Sequence, residues 1–302
     1  MNIALIGYGE VGRILAEDLR GAGHAVTAYD VRLDSETGGP MREHALFYGV
    51  ALAETHADAV RRRDLVVSAV TASQTVAAAR ACAGALRAES FFLDFNSASP
   101  GAKITAAEHV AGGGGRYVEG AVMTSVPPYR IKVPLLLGGP HAVALEPVLN
   151  RLGFAAKVAS EKLGVASATK MCRSVMIKGL EAMVIEGFTA ARHYGVEDAV
   201  LASLGETFPG IDWEKQAAYF FQRVIEHGRR RSEEMREAAV TVCDAGLEPW
   251  SAAGAAECQA WMADLADRNL FGESGRDDFA PSSDWRIEAD RILAHLDDPW
   301  TD

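Results

Sequence analysis

The chain has 302 residues and a formal net charge of −11, and 49% of its residues are hydrophobic. That hydrophobic share supports a packed core rather than a disordered chain, and the length fits two domains. The acidic balance argues against nucleic-acid and membrane-surface partners, because both require concentrated positive charge.

The cysteines, the histidines and the first residues predict a cytoplasmic protein that binds no metal. The four cysteines form no CxxC pair, which is typical of reduced thiols. The eight histidines form neither an HExxH motif nor a Cys/His cluster. No basic leader opens the chain, and no apolar run approaches the ~20 residues of a membrane span. We therefore expect no metal and no membrane partner.

A dinucleotide-binding pattern opens the chain. An apolar strand pattern at residues 3–6 leads directly into the motif GYGEVG, and an amphipathic helix pattern follows. In this context the first glycine permits a tight turn, the second lets the backbone approach a pyrophosphate, and the third lets the helix pack on the strand. The predicted cofactor contacts in this motif are Gly7, Tyr8, Gly9, Glu10, Val11 and Gly12.

The choice of cofactor depends on the end of the second predicted strand, residues 25–29. This strand runs into Asp30, whose carboxylate can accept hydrogen bonds from ribose hydroxyls and would repel a 2′-phosphate. Arg32 follows two residues later and could hold that phosphate. The sequence favours NAD and leaves NADP open.

Strand and helix patterns continue to alternate through the first half of the chain. Further strands are predicted at residues 64–70, 90–95, 117–122, 133–137 and 156–159, and helices at 73–87, 100–112 and 141–152. Ligands of doubly wound sheets bind beyond the carboxyl ends of the strands. The residues predicted there are Val70 and Thr71 at the cofactor, Asn96 at the cofactor and substrate, and Ser97, Met123, Thr124 and Ser125 at the substrate. Asn and Ser also favour helix starts for purely structural reasons.

A long helix is predicted from Lys162 to Tyr194, since this stretch contains no proline. It carries a polar stripe on one face and apolar residues such as Met176 and Met183 on the other. Such a stripe is either a solvated face or the wall of an active site. The stripe consists of Lys170, Arg173, Ser174, Lys178 and Glu181.

The remainder of the chain reads as helices only. They are predicted at residues 196–205, 213–227, 230–245, 249–268 and 285–296. A turn is expected at HGRRR, residues 227–231, because Gly228 interrupts the helical pattern. His227 and Arg230 in that turn could bind an anionic substrate, or the run could be solvated.

These patterns together predict an α/β protein with two domains. Residues 1–161 form a Rossmann domain with a doubly wound parallel sheet. Residues 162–302 form an all-α domain for substrate binding and dimerisation, and the long helix joins the two.

With these motifs placed, the chain resembles the β-hydroxyacid dehydrogenase superfamily over nearly its full length. GYGEVG resembles the cofactor motif of that family, and DFNSASP resembles its DxSTxxP motif. EGAVMTSV stands in place of DAPVSGG, and GVASATKMCRS resembles the motif GxxxxxKxxNN. The branch with a 6-phosphogluconate dehydrogenase-like C-terminal domain is the most similar.

The resemblance implies hydride transfer between a nicotinamide cofactor and a small hydroxy acid or sugar acid. It places Lys170 at the catalytic lysine and implies a homodimer. Arg173 and Ser174 replace the family's Asn-Asn or His-Asn, so substrate orientation is expected to differ, and Arg173 could bind the anionic group of the substrate.

Three alternatives stay open beside this reading. One is an NADPH-dependent imine or semialdehyde reductase, which Arg32 supports. A non-catalytic dinucleotide-binding regulator is another, although the presence of Lys170 counts against it. The third is a decarboxylating 6-phosphogluconate dehydrogenase, against which the missing His-Asn and the short second half count.

Overall fold

The structure, a computed structural model, describes residues 1–272, 282 and 284–296. It divides into two compact units, Met1–Cys172 and Arg173–Asp302. The first unit is built on a sheet, and the described part of the second contains helices but no strand. The predicted fold class is therefore confirmed. The units divide inside the long helix, and the domain limits 1–161 and 162–302 remain a prediction.

The described strands form one sheet in the order β3-β2-β1-β4-β5-β6-β7-β8. The strands are β1 (Asn2–Ile6), β2 (Ala25–Tyr29), β3 (Ala51–Leu52), β4 (Leu65–Ser68), β5 (Phe91–Asp94), β6 (Arg116–Val122), β7 (Pro134–Gly138) and β8 (Ala155–Ser160). Neighbouring strands run parallel except β6 and β7, which pair antiparallel, so the doubly wound sheet is mostly rather than entirely parallel.

Helices cover both faces of this sheet. In the first unit they are α1 (Glu10–Gly21), α2 (Gly39–Tyr48), α3 (His56–Val60), α4 (Thr75–Ala83), α5 (Pro100–Gly112) and α6 (Ala142–Arg151). Successive residues of β1 enter two different apolar clusters, with Ile3 and Leu5 in one and Ala4 and Ile6 in the other. This alternation is what a strand buried on both faces requires. Sequence patterns did not predict α2 and α3.

The long helix and the helices after it make up the rest of the described chain. They are α7 (Val165–His193), α8 (Glu197–Thr207), α9 (Trp213–Asp244), α10 (Trp250–Asp267) and α11 (Trp285–Leu296). The core of the second unit takes Phe188 from α7, Phe221 from α9, Met262 from α10 and Trp285 from α11. No described helix is both long and apolar enough to cross a bilayer. All four cysteines are unpaired.

The predicted turn at residues 227–231 is wrong, because α9 continues through it without interruption. Gly228 is buried, and a Cβ at this position would lie 2.8 Å from the carbonyl oxygen of Gln259 on α10. It would also lie 3.2 Å from the Cβ of Ala263. Gly228 therefore lets two helices approach closely instead of ending one of them.

Candidate active site

The glycine-rich turn joins β1 to α1 at the carboxyl edge of the sheet. Gly7 has a φ of 92°, and a Cβ there would lie 2.4 Å from the carbonyl oxygen of Ala69, so only glycine fits. At Gly12 a Cβ would lie 2.2 Å from the carbonyl oxygen of Gly7. The first residue of α1 is Glu10, so the free N–H groups of the helix start at this turn. A bound pyrophosphate would fit this geometry, and the cofactor contacts of residues 7–12 remain a prediction.

Tyr8 differs from its neighbours in the turn because its side chain is fully buried. Its hydroxyl lies 2.8 Å from Nδ1 of His44, whose Nε2 lies 3.0 Å from a carboxylate oxygen of Glu17. Arg130 completes the chain by donating to Glu17 at 2.7 Å. Burial raises the pKa of Tyr8 to about 12, so the hydroxyl keeps its proton at neutral pH. The side chain therefore ties the turn to α1 and α2, a link for which the sequence carries no local signal.

Asp30 and Arg32 form a pair beside the same turn. The Asp30 carboxylate accepts from the N–H of Tyr8 at 2.8 Å, from the N–H of Arg32 at 2.9 Å and from the Arg32 guanidinium at 3.1 and 3.2 Å. Burial alone would raise the pKa of Asp30, but these hydrogen bonds outweigh it and hold the pKa below its usual value. Arg32 is 51% exposed, and its Nη2 would lie 3.1 Å from a Cβ at Gly9. A cation and a carboxylate thus stand together where ribose is expected to bind.

Asn96 connects the ends of β4 and β5. Its Oδ1 accepts from the N–H of Val70 at 2.7 Å, and its Nδ2 donates to Oγ of Ser68 at 3.1 Å. The side chain is buried, and its contacts hold the segment that leads to Thr71, which is exposed. Both predicted ligand segments are therefore adjacent, and Asn96 joins them.

A buried ion pair that sequence reasoning missed lies directly beneath this segment. Lys103 on α5 donates to Oδ1 of Asp94 at 2.7 Å and to the Asp94 carbonyl oxygen at 3.0 Å. Tyr117 donates its hydroxyl to Oδ2 of Asp94 at 2.6 Å, and the N–H of Asn96 donates to Oδ1 at 3.0 Å. Burial, followed by the Asp94 carboxylate, raises the pKa of Tyr117 well above its usual value. The sequence signal for this pair is that Lys103 lies on the otherwise apolar face of α5 with Ala106. A lysine on a buried face requires a partner, and this signal alone could have predicted one.

Lys170 and Ser97 meet in the first unit. Nζ of Lys170 donates to Oγ of Ser97 at 2.5 Å, although 73 residues separate them in the sequence. Lys170 lies near the start of α7 and is half-buried, while Ser97 follows β5. Two residues predicted from separate motifs therefore form one amine–hydroxyl pair beside the Asn96 segment.

The remaining predicted substrate residues follow β6 or lie in the second unit. Met123, Thr124 and Ser125 follow β6, and the N–H of Met123 donates to the carbonyl oxygen of Pro134 at 3.0 Å. In the second unit Arg173 is exposed and Ser174 is buried on α7, whereas His227 is half-buried and Arg230 exposed on α9.

The later part of the polar stripe is paired inside the second unit. Lys178 donates to Glu234 of α9, and Arg231 binds both carboxylate oxygens of Glu181, with Nε of Arg231 at 2.9 Å from one of them. Burial lowers the pKa of Lys178, and the Glu234 carboxylate offsets this only in part. Gln259 of α10 donates to the Lys178 carbonyl oxygen at 3.3 Å. The part of the chain that the structure describes holds no group of His, Cys, Asp and Glu side chains suited to a metal ion.

Family models match both halves of the chain. Residues 2–159 match the NAD binding domain of 6-phosphogluconate dehydrogenase, which is more than half of the chain. Residues 191–262, within the helical half, match a domain of unknown function (DUF1932).

Solved structures extend this likeness over both units. The chain is 40% identical to a conserved hypothetical protein from Sinorhizobium meliloti 1021, with 96% of each chain covered and a TM-score of 0.73. It is 18% identical to the 3-hydroxyisobutyrate dehydrogenase of Mycobacterium tuberculosis with L-serine, over 96% of this chain and 98% of that one, with a TM-score of 0.66. An imine reductase from Myxococcus stipitatus in complex with NADP+ is also 18% identical, over 95% of this chain and 99% of that one, with a TM-score of 0.54. At 18% identity, the last two likenesses show a shared fold alone.

Proposed function

The chain belongs to the β-hydroxyacid dehydrogenase superfamily, and we propose that it oxidises the alcohol of a small hydroxy acid or sugar acid, with Lys170 as proton acceptor. The observation that carries this proposal is the hydrogen bond from Nζ of Lys170 to Oγ of Ser97 at 2.5 Å. It places an amine beside the carboxyl edge of the sheet, where ligands of doubly wound folds bind.

The chemistry divides between the cofactor and the protein. When bound, the nicotinamide ring takes up or returns the hydride. The neutral amine of Lys170 accepts the proton of the substrate hydroxyl as the carbonyl forms, and in the reverse direction the ammonium returns that proton. Ser97 orients the amine through its hydroxyl, and Asn96 holds the Ser97 segment against the end of β4.

The cofactor turn supports NAD with NADP as a second choice. Asp30 accepts a ribose diol if Arg32 gives up its contacts, and Arg32 meets a 2′-phosphate if it turns away from Asp30. Because Asp30 is buried and also holds the N–H of Tyr8, the carboxylate stays in place in either case. We therefore infer that both cofactors bind and that NAD binds more tightly.

The substrate is inferred to be a small anion. Arg173 is an exposed cation one turn beyond Lys170, and a guanidinium suits a carboxylate. Ser174, His227 and Arg230 remain proposed substrate contacts, together with the segment Met123–Ser125 that follows β6.

The proposal is tested with Lys170→Ala and the matched control Lys162→Ala, which removes an exposed lysine just before α7. A panel of hydroxy acids and sugar acids is offered with NAD and NADP, and the absorbance of the reduced nicotinamide is followed. Loss of a general acid–base residue lowers kcat by about 10²–10⁴-fold, and Lys162→Ala should leave it unchanged. Full turnover by Lys170→Ala, with normal cofactor binding, would refute the role of Lys170.

Cyclic imines with NADPH belong in the same panel. A chain that reduces imines and oxidises no hydroxy acid would fit the imine reductase alternative. One that binds the cofactor and turns over neither class would fit the regulatory alternative.

We also propose that the helical unit forms a homodimer. Large apolar side chains are exposed on α7 and α10, with Met176 73%, Met183 64% and Trp250 81% exposed. Such surfaces are typical of interfaces. Light scattering on the native chain should give twice the monomer mass, and Met183→Glu should lower it. A monomeric native chain would contradict this proposal.

A further inference from the structure

Glu119 lies in the middle of β6 and is completely buried. Both of its carboxylate oxygens are directed at the first turn of α7. Oε1 accepts from the N–H of Ala166 at 3.0 Å, and Oε2 accepts from the hydroxyl of Ser167 at 2.8 Å. A strand residue therefore caps the helix that carries Lys170.

The first turn of α7 needs a partner from elsewhere in the chain. The N–H groups at the start of a helix have no acceptor within the helix. Gly164, whose carbonyl oxygen accepts from the N–H of Ala168 at 2.9 Å, has no side chain that could cap the turn. A carboxylate at this end also interacts favourably with the helix dipole. Glu119 therefore supplies both the missing acceptor and the favourable charge.

The neighbouring strand leaves room for this carboxylate. Gly138 of β7 is the cross-strand partner of Glu119, and a Cβ at Gly138 would lie 2.1 Å from Oε1 of Glu119. No other residue fits at Gly138 while Glu119 keeps its position. A buried charge is costly unless it is fully paired, so these contacts must be kept for the carboxylate to remain there.

Lys170 lies one turn beyond Ser167, on the part of α7 that Glu119 holds. The start of α7 must also bring the Lys170 amine to Ser97, which follows the neighbouring strand β5. We propose that Glu119 is a positioning residue that sets the Lys170 amine against Ser97. The importance of Glu119 for catalysis rests on the proposed proton transfer by Lys170. The effect of Glu119 on the position of the amine is independent of that proposal.

Two substitutions at Glu119 separate the contact from the fold. Glu119→Met keeps a linear side chain of similar length but removes both acceptors. Glu119→Gln can still accept from the N–H of Ala166, and its amide can donate to Ser167, whose hydroxyl also contacts the Gly164 carbonyl oxygen. Ser167→Ala is a milder third variant, because it removes only one of the two contacts of Glu119 and does not alter the sheet.

The deciding measurement is the rate at which acetic anhydride modifies Lys170, relative to the exposed Lys162 in the same molecule, read by peptide mass spectrometry. Loss of the hydrogen bond between Lys170 and Ser97 corresponds to roughly a three- to tenfold change, so Glu119→Met should raise the Lys170 to Lys162 ratio by that factor. Glu119→Gln should restore the native ratio, and Ser167→Ala should fall between. An unchanged ratio in Glu119→Met and Ser167→Ala would overturn the proposal.

Turnover provides the second measurement. Misplacing a catalytic group by about 1 Å can cost about 10²-fold, so Glu119→Met should lower kcat by roughly ten- to a hundredfold without weakening cofactor binding. A melting temperature that falls while kcat and the labelling ratio stay native would show a purely structural role and refute the positioning. If Lys170→Ala proves fully active, the proposed function fails, and the labelling ratio still decides the role of Glu119.

Discussion

The arginine run at residues 229–231 allows a buried and an exposed ion pair to be compared on one helix. Arg231 is 7% exposed and binds both oxygens of Glu181, which is 3% exposed. Arg229, two residues earlier, contacts Asp264 and Asp267 at 2.6 Å, but its side chain is 54% exposed. The same residue type thus occupies two environments in which the same substitution should have very different effects.

In Arg231→Met the buried carboxylate of Glu181 would lose its guanidinium partner. It would keep the hydrogen bond from Nε2 of Gln259 at 3.4 Å. Breaking a buried pair by removing one partner costs about 3–5 kcal/mol when the other charge stays buried and uncompensated, and the nearby Lys178 ammonium should hold the cost to the lower part of that range. Arg229→Met should cost about 1 kcal/mol or less, since water screens exposed pairs. Replacing both partners, as in Glu181→Leu with Arg231→Met, should recover most of the loss.

Urea unfolding followed by tryptophan fluorescence measures this difference, because all five tryptophans lie beyond residue 212 and report on the second unit. The unfolding midpoint of Arg231→Met should fall well below that of Arg229→Met, with an unchanged denaturant slope. Equal midpoints for the two variants would refute the assignment of Arg231 to a buried pair.

Three further predictions concern packing, pH and cofactor choice. Gly254→Ala should stabilise α10 by about 1 kcal/mol through helix propensity. Gly228→Ala should be less stable than Gly254→Ala by about 1–3 kcal/mol because of overpacking, as urea unfolding would measure. Burial raises the pKa of Glu288, so the folded chain binds that proton more tightly than the unfolded chain and loses stability as pH rises above the usual value of 4.5. Glu288→Gln should therefore melt above the native chain at pH 8 and with it at pH 4. Arg32→Ala should weaken NADP binding by about tenfold and NAD binding much less, because only the 2′-phosphate requires the guanidinium. Isothermal titration with each cofactor measures both affinities. Equal losses for the two cofactors would count against this division of roles between Arg32 and Asp30.

The cofactor half of the site could be predicted because its signals are local. In GYGEVG the spacing of the glycines is itself the signal, and Gly12 lies against the carbonyl oxygen of Gly7 within the same motif. Strand and helix periods add to this within windows of a dozen residues. The Rossmann-type fold followed from these local patterns.

Gly228 shows where local reasoning fails. A glycine in a helical pattern can end the helix or admit a neighbouring helix, and both explanations predict the same sequence around it. The contact that decides between them is with Gln259 and Ala263, which lie on the next helix. Buried ion pairs such as that of Lys103 with Asp94 could not be predicted for the same reason, because the two residues lie on separate elements.

Neither a solvated face nor an active-site wall explains the polar stripe of α7 along its whole length. Its apolar opposite face is partly exposed, with Met176 and Met183 at the surface, while Ser174, Lys178 and Glu181 are buried. Helical period alone assigns residues to faces but does not say which face is covered.

The two ends of that stripe are held by different partners. Lys170 contacts Ser97, and the turn before it is capped by Glu119, whereas Lys178 and Glu181 contact Glu234 and Arg231 of α9. The first set of contacts fixes the position of the Lys170 amine at the start of α7. The second set fixes the orientation of the later turns of the same helix. A substitution at Glu119 should therefore disturb Lys170 without lowering the stability of the helical unit, and Arg231→Met should do the reverse. Measuring acetylation of Lys170 and tryptophan-detected unfolding on both variants separates these effects. If each variant changed both observables equally, independent anchoring of the two ends of α7 would be wrong.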